Sequence, residues 1–556
     1  MTEIDIPVLI VGAGPIGLLG ARLLGRRGIR TLVVEKHQTR LEAPKAHAVN
    51  PRTLEICHAA GLPMADIHAA ATPTEEGRHI RMVRTLTGTE IGVLPYERQD
   101  EAVRDLTPWP LINIAQPDFE AVVEKSVAAL PDVQIRRGLE WRRCDQLGGA
   151  VISTLVDRAT GEEVKVRSRY LIAADGAGST IRDGIGIPMD GPEALQSNMM
   201  IHFEADLRGL VGDRPAILYF LFGPEANGVL IAFDIGRTWV LMHQCRADET
   251  PKDYDDARCR DLIRTAVGAD LPDLEIRGVR SWVMSSQVAR RYRDGNVFLV
   301  GDAAHRFPPT GGLGLNTGVG DIDNLVWKII ATEEGWAEPA LLDSYEPERR
   351  AIAQTNMGQS LANAMRIMTL FEALGYKPDQ TVDVETFEAR MSDPVSRAKI
   401  DAAVEHQREH FDSLRLQLGF AYGDALKADA ALPISQFTPR AVVGARLPHA
   451  ALRDGRSSLE LVAAGGLTLI SGPEAGAWGS FAEMAPVPVL LAVEGRDFKA
   501  RSGDWAASVE IGRDGAILMR PDGHILHVAL GAGDASAMME ALAAYVKPTA
   551  QVRGAA

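Results

Sequence analysis

Apolar residues along this chain fall into runs of different kinds. Residues 6–11, IPVLIV, are continuous and rich in β-branched side chains, the pattern of a strand covered on both faces. In the following PIGLLGARLLGRRG apolar positions recur at the helical interval, and TLVVE at 31–35 closes the unit as a second short strand. RYLIAAD at 169–175 and VFLVGD at 297–302 are further apolar strands, each delivering an aspartate to its C-terminal end. Between 190 and 285 the runs shorten and gain aromatics: SNMMIHFEADL, AILYFLFG, NGVLIAFD, RTWVLMHQC and LEIRGVRSWVM predict five strands. A long amphipathic helix is predicted from 341, and residues 372–435 mix helix and loop. From about 437, VVGARLPHAAL, LTLISG, VPVLLAVEG and AILMRPDGHILHVAL predict short strands, and ASAMMEALAAYV a closing helix.

Composition narrows the function classes. The 556 residues carry 59 basic and 74 acidic side chains, a net charge of −15, with no basic run interleaved with aromatics, so no nucleic-acid partner is expected. Cys57, Cys144, Cys245 and Cys259 form no CxxC pair, which argues against a disulfide scaffold, a metal site or a redox dithiol. The apolar stretch at 6–25 follows Glu3 and Asp5 and is broken by glycine and proline, so it reads as strand, turn and helix rather than a signal peptide. A soluble, cytoplasmic protein without a membrane segment is expected.

The turn after the first strand holds Gly12, Gly14, Pro15 and Gly17, the G-x-G-x-x-G spacing. Such glycines let backbone N–H groups and a helix N-terminus approach a pyrophosphate, and Glu35, ending the second strand, suits an adenosine ribose. An NAD dehydrogenase leaves the second glycine-rich segment, GDAAHRFPPTGGLGLNTGVG at 301–320, unexplained. Three strand ends, at Gly12, at Asp175-Gly176 and at Gly301-Asp302, would instead converge on one crevice long enough for an extended dinucleotide.

With these three motifs, residues 5–360 resemble the single-component FAD-dependent aromatic hydroxylases of the p-hydroxybenzoate hydroxylase fold, and most of all the phenol and chlorophenol monooxygenases. The resemblance implies an α/β (α+β overall) architecture. A discontinuous Rossmann-like FAD-binding domain (1–189 and 286–365) would carry an inserted β-rich substrate domain (190–285). A helical connector (366–435) and a thioredoxin-like domain (436–556) would follow. It implies FAD, NADPH or NADH as co-substrate, O2 and a small aromatic substrate; a homodimer is expected besides. The implied chemistry is hydroxylation of a phenolic ring by a flavin C4a-hydroperoxide. Baeyer–Villiger insertion or polyketide tailoring on the same fold stands as the alternative, with a non-catalytic flavin- or ligand-binding protein beyond it.

The resemblance also implies site residues. Asp302 would bond the ribityl chain, and residues 311–317 would lie against the flavin ring, where glycine avoids collision. Gly312, Gly314 and the backbone N–H groups of Leu315 and Asn316 would face the ring's pyrimidine edge, with Pro309 keeping substrate and flavin in register. Asp175, Gly176, Arg182, Gly301 and Gln116 complete the FAD set. Lys45 stands where the family commonly has arginine, keeping the charge but losing the bidentate fork. His47 matches a histidine near the substrate hydroxyl, with a surface or helix-cap histidine as the alternative. Asn113 stands where the family has an aspartate that helps ionise the phenol; an amide is no general base, so either His47 takes that role or the substrate arrives already activated by other groups. Tyr219 and His243 line either the substrate pocket or the core of the β-rich insert. Asp321, Asn324 and Trp327 are expected to pack or cap a helix, and His305 to be structural. The C-terminal unit contains no cysteine and cannot exchange thiols.

Overall fold

The computed structural model describes residues 2–40, 45–377, 382–423 and 432–546; parts of the expected connector (378–381 and 424–431) lie outside the described residues. The first apolar run lies in the strand Thr2–Val11, parallel to Glu163–Ala173 on one side and Thr31–Glu35 on the other. Val297–Leu299 and Val133–Arg137 extend this sheet, also in parallel. Helix α1 (Pro15–Gly25) covers it, and Val8, Leu9 and Ile10 are wholly buried, as a two-sided parallel sheet requires.

A second sheet has seven strands. Its order is Glu275–Met284, Gln196–Glu204, Thr238–Cys245, Asn227–Asp234, Leu218–Phe222, His79–Val83 and Glu90–Pro95. All five strands expected between 190 and 285 are present. The last two come from outside that segment, because His79–Val83 pairs in parallel with Leu218–Phe222. Side chains alternate across the sheet. Tyr219, Leu221, Leu230, Ala232, Trp239 and Leu241 pack with Cys259, Ile263 and Ala266 of helix α2 (Asp256–Val267). Ile231, Phe233 and Val240 form the opposite face, with Leu218 and Val229 against them. The β-rich reading of the insert did not include α2.

Helix α3 (Leu313–Glu333) runs through the interior beside α1, with α4 (Tyr345–Leu374) against it. The C-terminal unit has a four-stranded sheet in the order Val489–Val493, Leu467–Ser471, Ala516–Met519, Ile525–Ala529. Its first pair is parallel and the others antiparallel, flanked by Gly476–Met484 and Ala535–Val546, a thioredoxin-like arrangement. VVGARLPHAAL forms only isolated bridges, at Ala445, Arg446, Ala451 and Leu452. Gly444 turns the chain with φ +85° and Pro448 lacks a ladder donor, so no strand propagates.

This unit does not stand apart from the flavin-side fold. Trp327, Ala331, Trp336 and Leu341 share one core with Leu469, Trp478, Leu518, Met538 and Leu542. Beside that core Arg520 forks onto both oxygens of Glu348 at 2.8 and 3.0 Å, and Lys328 reaches the same carboxylate at 2.8 Å. Further along, Arg446 forks onto Glu55 at 2.7 and 2.5 Å. Burial presses Lys328 down to about 8, whereas the cations around Glu348 hold its carboxyl well below the usual range despite burial.

Candidate functional site

The parallel sheet brings the three motifs together at its C-terminal edge. Ala174 N–H donates to Val11 O (2.9 Å), Val300 N–H to Ala173 O (3.1 Å) and Gly12 N–H to Val34 O (2.8 Å), so the loops leaving these strands lie side by side. Gly12 has φ +108°, and a Cβ there would overlap the carbonyl of Ala174. At Gly17 a Cβ would strike the Gly12 carbonyl, which fixes how closely α1 enters the turn. Gly14, Gly176, Gly178 and Gly314 differ: a Cβ at any of them would meet nothing within 4 Å, so the backbone there borders open space.

Unused polar groups face the same edge. Helix α1 starts at Pro15 with neither a side-chain cap nor an acid in its first turn, leaving its N-terminal N–H groups for an anion. Glu35 accepts from Ala13 N–H (3.1 Å) and His37 N–H (2.9 Å) at the loop's flank. Asp175 accepts from Ile181 N–H at 3.2 Å through one oxygen, while its other oxygen is buried with no partner among the described residues. Asp302 is exposed at the crevice; nearby protein raises its carboxyl, against the pull of His305, Lys45 and Arg306, and its oxygens accept no hydrogen bond among the described residues. Orphaned carboxylate oxygens, an uncapped helix and glycines bordering space fit a dinucleotide carrying a pyrophosphate and hydroxyl donors.

The Asp302 turn is held from behind. Gly301 N–H donates to Asp321 Oδ2 (3.1 Å), and Asp321 also takes His305 Nε2 (2.7 Å) and Arg349 Nε (2.9 Å), all buried. Arg182, buried, donates to Ala303 O (3.4 Å) and ties the 175–182 motif to this turn. Asp321 therefore does more than pack its helix; no local sequence pattern couples it to Gly301 and Arg349.

The second cluster forms where Ala48 pairs with Asn113 in a short antiparallel bridge, extended by Ile114 N–H to His47 O (2.8 Å) and Gln116 N–H to Ala46 O (3.0 Å). Asn113 Nδ2 donates to Gly77 O (3.0 Å), which turns its Oδ1 toward His47 Nδ1 at 2.9 Å. His47 is thus the donor at Nδ1, and in the neutral ring Nε2 keeps its lone pair. Burial lowers the pKa of His47, with the Asn113 bond pulling the other way, so the neutral form is favoured. Tyr96 and Phe233 flank the ring at 5.7 and 6.1 Å between centroids.

Asn316 fastens this strand to the 311–315 turn. Its Oδ1 accepts from Asn50 N–H (3.0 Å) and Thr53 Oγ1 (2.7 Å), and its Nδ2 donates to Ala48 O (3.0 Å) and Gly312 O (2.7 Å). Gly312, at φ +61°, caps α3 without a side chain, so the N–H groups of Leu313, Gly314 and Leu315 have no intrahelical acceptor. Pro309 is exposed and its carbonyl accepts from Gly312 N–H (3.1 Å). Lys45 is exposed and close enough to act electrostatically on both Asp302 and Glu120. Gln116 donates to Glu120 Oε1 (2.7 Å), and its own Oε1 faces Ala46 N–H at 3.4 Å.

Tyr219 and His243 are not brought to this cluster. Tyr219 donates its hydroxyl to Arg214 O (2.8 Å) and packs near Trp239 on the α2 face. His243 shares that face, lining a small cavity with Asn227, Leu262 and Thr265. Period-two alternation separates two faces without saying which looks toward the crevice; Phe233 lies on the one that does. Among the described residues no His, Cys, Asp or Glu group is arranged to hold a metal, and no helix is long and apolar enough to cross a membrane.

Comparison with known proteins agrees with this geometry. Residues 5–360 match the model of the FAD binding domain, and 440–548 that of the aromatic-ring hydroxylase C-terminal domain. The chain is 30% identical to a 2,4-dichlorophenol 6-monooxygenase of Cupriavidus pinatubonensis over 94% of its length and 93% of that protein. It is 32% identical to a tetracenomycin B2 monooxygenase-dioxygenase of Streptomyces olivaceus, covering 94% and 95%. A crystal structure of the flavin-dependent monooxygenase PieE with FAD and substrate superimposes with a TM-score of 0.92 at 31% identity, covering 98% of this chain and all of that one. A ternary complex of aklavinone-11 hydroxylase with FAD and aklavinone gives 0.82 at 28%, with the same coverage.

Proposed function

The chain belongs to the FAD-dependent aromatic-ring hydroxylases, and from that premise we propose that it hydroxylates a ring bearing a free phenolic hydroxyl, with His47 accepting the phenolic proton. The observation that carries this reading is the His47 ring, its neutral form favoured, with Nδ1 engaged by Asn113, Nε2 without a hydrogen bond among the described residues, and Tyr96 and Phe233 beside it.

Bound FAD, reduced by NADPH or NADH, supplies the activated oxygen. The protein's part is to hold, orient and dry the reactants. Pyrophosphate would sit before α1, with Gly12, Gly14, Pro15 and Gly17 around it. Glu35 and Asp302 would accept from hydroxyls of the adenosine and ribityl portions, and Asp175, Gly176 and Arg182 would border the latter. Lys45 and Gln116 would close the side next to His47. Gly312, Gly314 and the first N–H groups of α3 would face the ring, the positive end of the helix favouring negative charge there. Phe233, Ile231 and Val240 offer an apolar wall that keeps water from the reacting atoms. When the substrate O–H bond breaks, its proton passes to His47 Nε2, and the electron pair left on oxygen raises nucleophilicity at the ortho and para carbons. Asn113 acts through His47, as a positioning residue.

The test is phenol-stimulated NAD(P)H oxidation, across monocyclic and polycyclic phenols, with product mass followed. Phenols should raise consumption and gain one oxygen atom; their methyl ethers should not couple. His47→Phe should cut oxygen transfer about 10²–10⁴-fold and divert reducing equivalents to hydrogen peroxide. Unchanged coupling in that variant would make His47 a packed ring and place the base elsewhere.

A further inference from the structure

We propose that Tyr96 contacts the substrate: its hydroxyl donates the hydrogen bond that holds the phenolic oxygen against His47, so the two side chains together read a hydroxyl group. This rests on the role given to His47 above and adds a residue that neither the sequence motifs nor the comparisons single out.

Tyr96 follows the strand Glu90–Pro95 and is only 4% exposed, yet its hydroxyl makes no hydrogen bond among the described residues. Its backbone, in contrast, is fully engaged: N–H donates to Arg78 O (2.8 Å) and the carbonyl accepts from Gln99 Nε2 (2.8 Å). The hydroxyl oxygen is not among the wholly buried unpartnered atoms, so the small exposed part of Tyr96 includes it, and a ligand can reach it. The hydroxyl lies 3.5 Å from where a Cβ on Gly312 would stand, over the turn that begins α3, and the ring is 5.7 Å from that of His47. The hydroxyl therefore lies beside the glycine turn, and the ring beside His47.

The following residue is built to hold it there. Glu97 has φ +53°, one of two non-glycine residues in the left-handed region among the described residues. Such strain persists where surroundings over-determine it. Here Glu97 N–H donates to Phe411 O (2.6 Å), and its buried carboxyl accepts from Ser413 N–H (2.8 Å), Ser413 Oγ (2.9 Å) and Gln417 Nε2 (2.7 Å). Phe411 in turn packs near the Tyr96 ring, centroids 6.4 Å apart.

The two groups are complementary. Burial, and then the Glu97 charge, push the Tyr96 phenol up, so it stays protonated and donates; His47 Nε2 accepts. A substrate hydroxyl satisfies both at once, accepting from Tyr96 and donating to His47. An ether or a bare ring satisfies one at most. After the proton moves to His47 Nε2, the oxygen becomes anionic and the Tyr96 bond becomes charge-assisted and stronger, while Tyr96 keeps its own proton.

The experiment uses full-length, FAD-loaded protein without NAD(P)H, so nothing turns over. Binding and ionisation of 4-nitrophenol are followed by difference absorbance across pH, with 4-nitroanisole as the methylated control, in wild type, Tyr96→Phe and His47→Phe. Wild type should bind the phenol roughly ten-fold or more tighter than the ether. Tyr96→Phe, which removes one oxygen and leaves the ring, should erase most of that preference and raise the pKa of the bound phenol by about one to two units. Unchanged preference and unchanged ionisation in Tyr96→Phe would overturn the proposal while leaving His47 in place. If His47→Phe alters neither quantity, the His47 reading fails by itself. No binding of 4-nitrophenol by wild type would refute the pocket on which both rest.

Discussion

Replacing Asn113 by aspartate tests the His47 geometry with one atom changed. In the wild type a neutral amide oxygen accepts from His47 Nδ1 at 2.9 Å, and the Asn113 amide donates to Gly77 O at 3.0 Å. A carboxylate keeps the first contact but charges it. A neutral hydrogen bond is worth about 1 kcal/mol net and one to a charged group about 1.5–3, so the protonated ring should gain roughly 1–2 kcal/mol. At about 1.4 kcal/mol per pKa unit, His47 should rise by about one unit, opposing the burial that lowers it. Because His47 serves only when neutral, the acid limb of product formed per NAD(P)H should move up by about one pH unit. A cost follows at the other contact, where a carboxylate oxygen would face the Gly77 carbonyl with no proton between them. Denaturant unfolding should show a loss of about 1–3 kcal/mol. An acid limb that stays in place, or moves down, would show that residue 113 does not set the state of the reacting base.

Other outcomes follow from the same structure. Gly12→Ala should give protein with little or no bound FAD, since the added methyl overlaps the Ala174 carbonyl at a φ of +108°; flavin content after reconstitution measures it. Asp302→Ala should weaken FAD retention roughly 10–100-fold through lost charge-assisted bonds, read from titration of the apoprotein. Acid should act late. Burial drives His410 and His524 down to about 3 and lifts Glu97 and Asp323 to about 7. Between pH 6.5 and about 4.5 the unfolded chain gains protons on the two histidines while the folded chain already holds them on the two acids, and the effects nearly cancel. Below about 4 the unfolded acids protonate too, the folded histidines stay neutral, and each excess proton costs about 1.4 kcal/mol per pH unit. The denaturant midpoint should fall only gradually from pH 7 to 5, through His47 and the other histidines that burial lowers (His68, His79, His243, His449 and His527), and drop steeply below 4; a steep loss between 7 and 5 would refute this assignment of protons.

What could be read beforehand was local. The apolar strands, the glycine spacing and the aspartates at strand ends lie within short windows, and the parallel sheet converts their common position into one crevice. The strands within 79–95 escaped because their partner, Leu218–Phe222, is far along the chain and the runs themselves are short and mixed with charge. Helix α2 escaped because Asp256, Arg258, Arg260, Asp261 and Arg264 obscure an apolar stripe of Cys259, Ile263 and Ala266. Residues around the expected base divided similarly. His47 and Asn113 were singled out individually, but their bond, the four bonds of Asn316 and the unpartnered Tyr96 hydroxyl exist only between segments distant in sequence.

The shared core between α3 and the C-terminal unit has a consequence for how the protein is made. Trp327 lies 6.2 Å from Trp336 and 6.3 Å from Tyr545, and Arg520 lies over Trp327 while forking onto Glu348. All of the flavin-side motifs leave the ribosome some two hundred residues before Arg520 and Tyr545 do. Until then the two tryptophans face solvent, and Glu348 and Lys328 have only each other and Asn324. The nascent chain thus carries an adhesive apolar patch over the end of α3, the helix whose other end forms the glycine turn. Arrival of the C-terminal unit and rigidity of the flavin site become one event, and a chain stopped before Arg520 and Tyr545 should be a client of chaperones rather than a smaller enzyme.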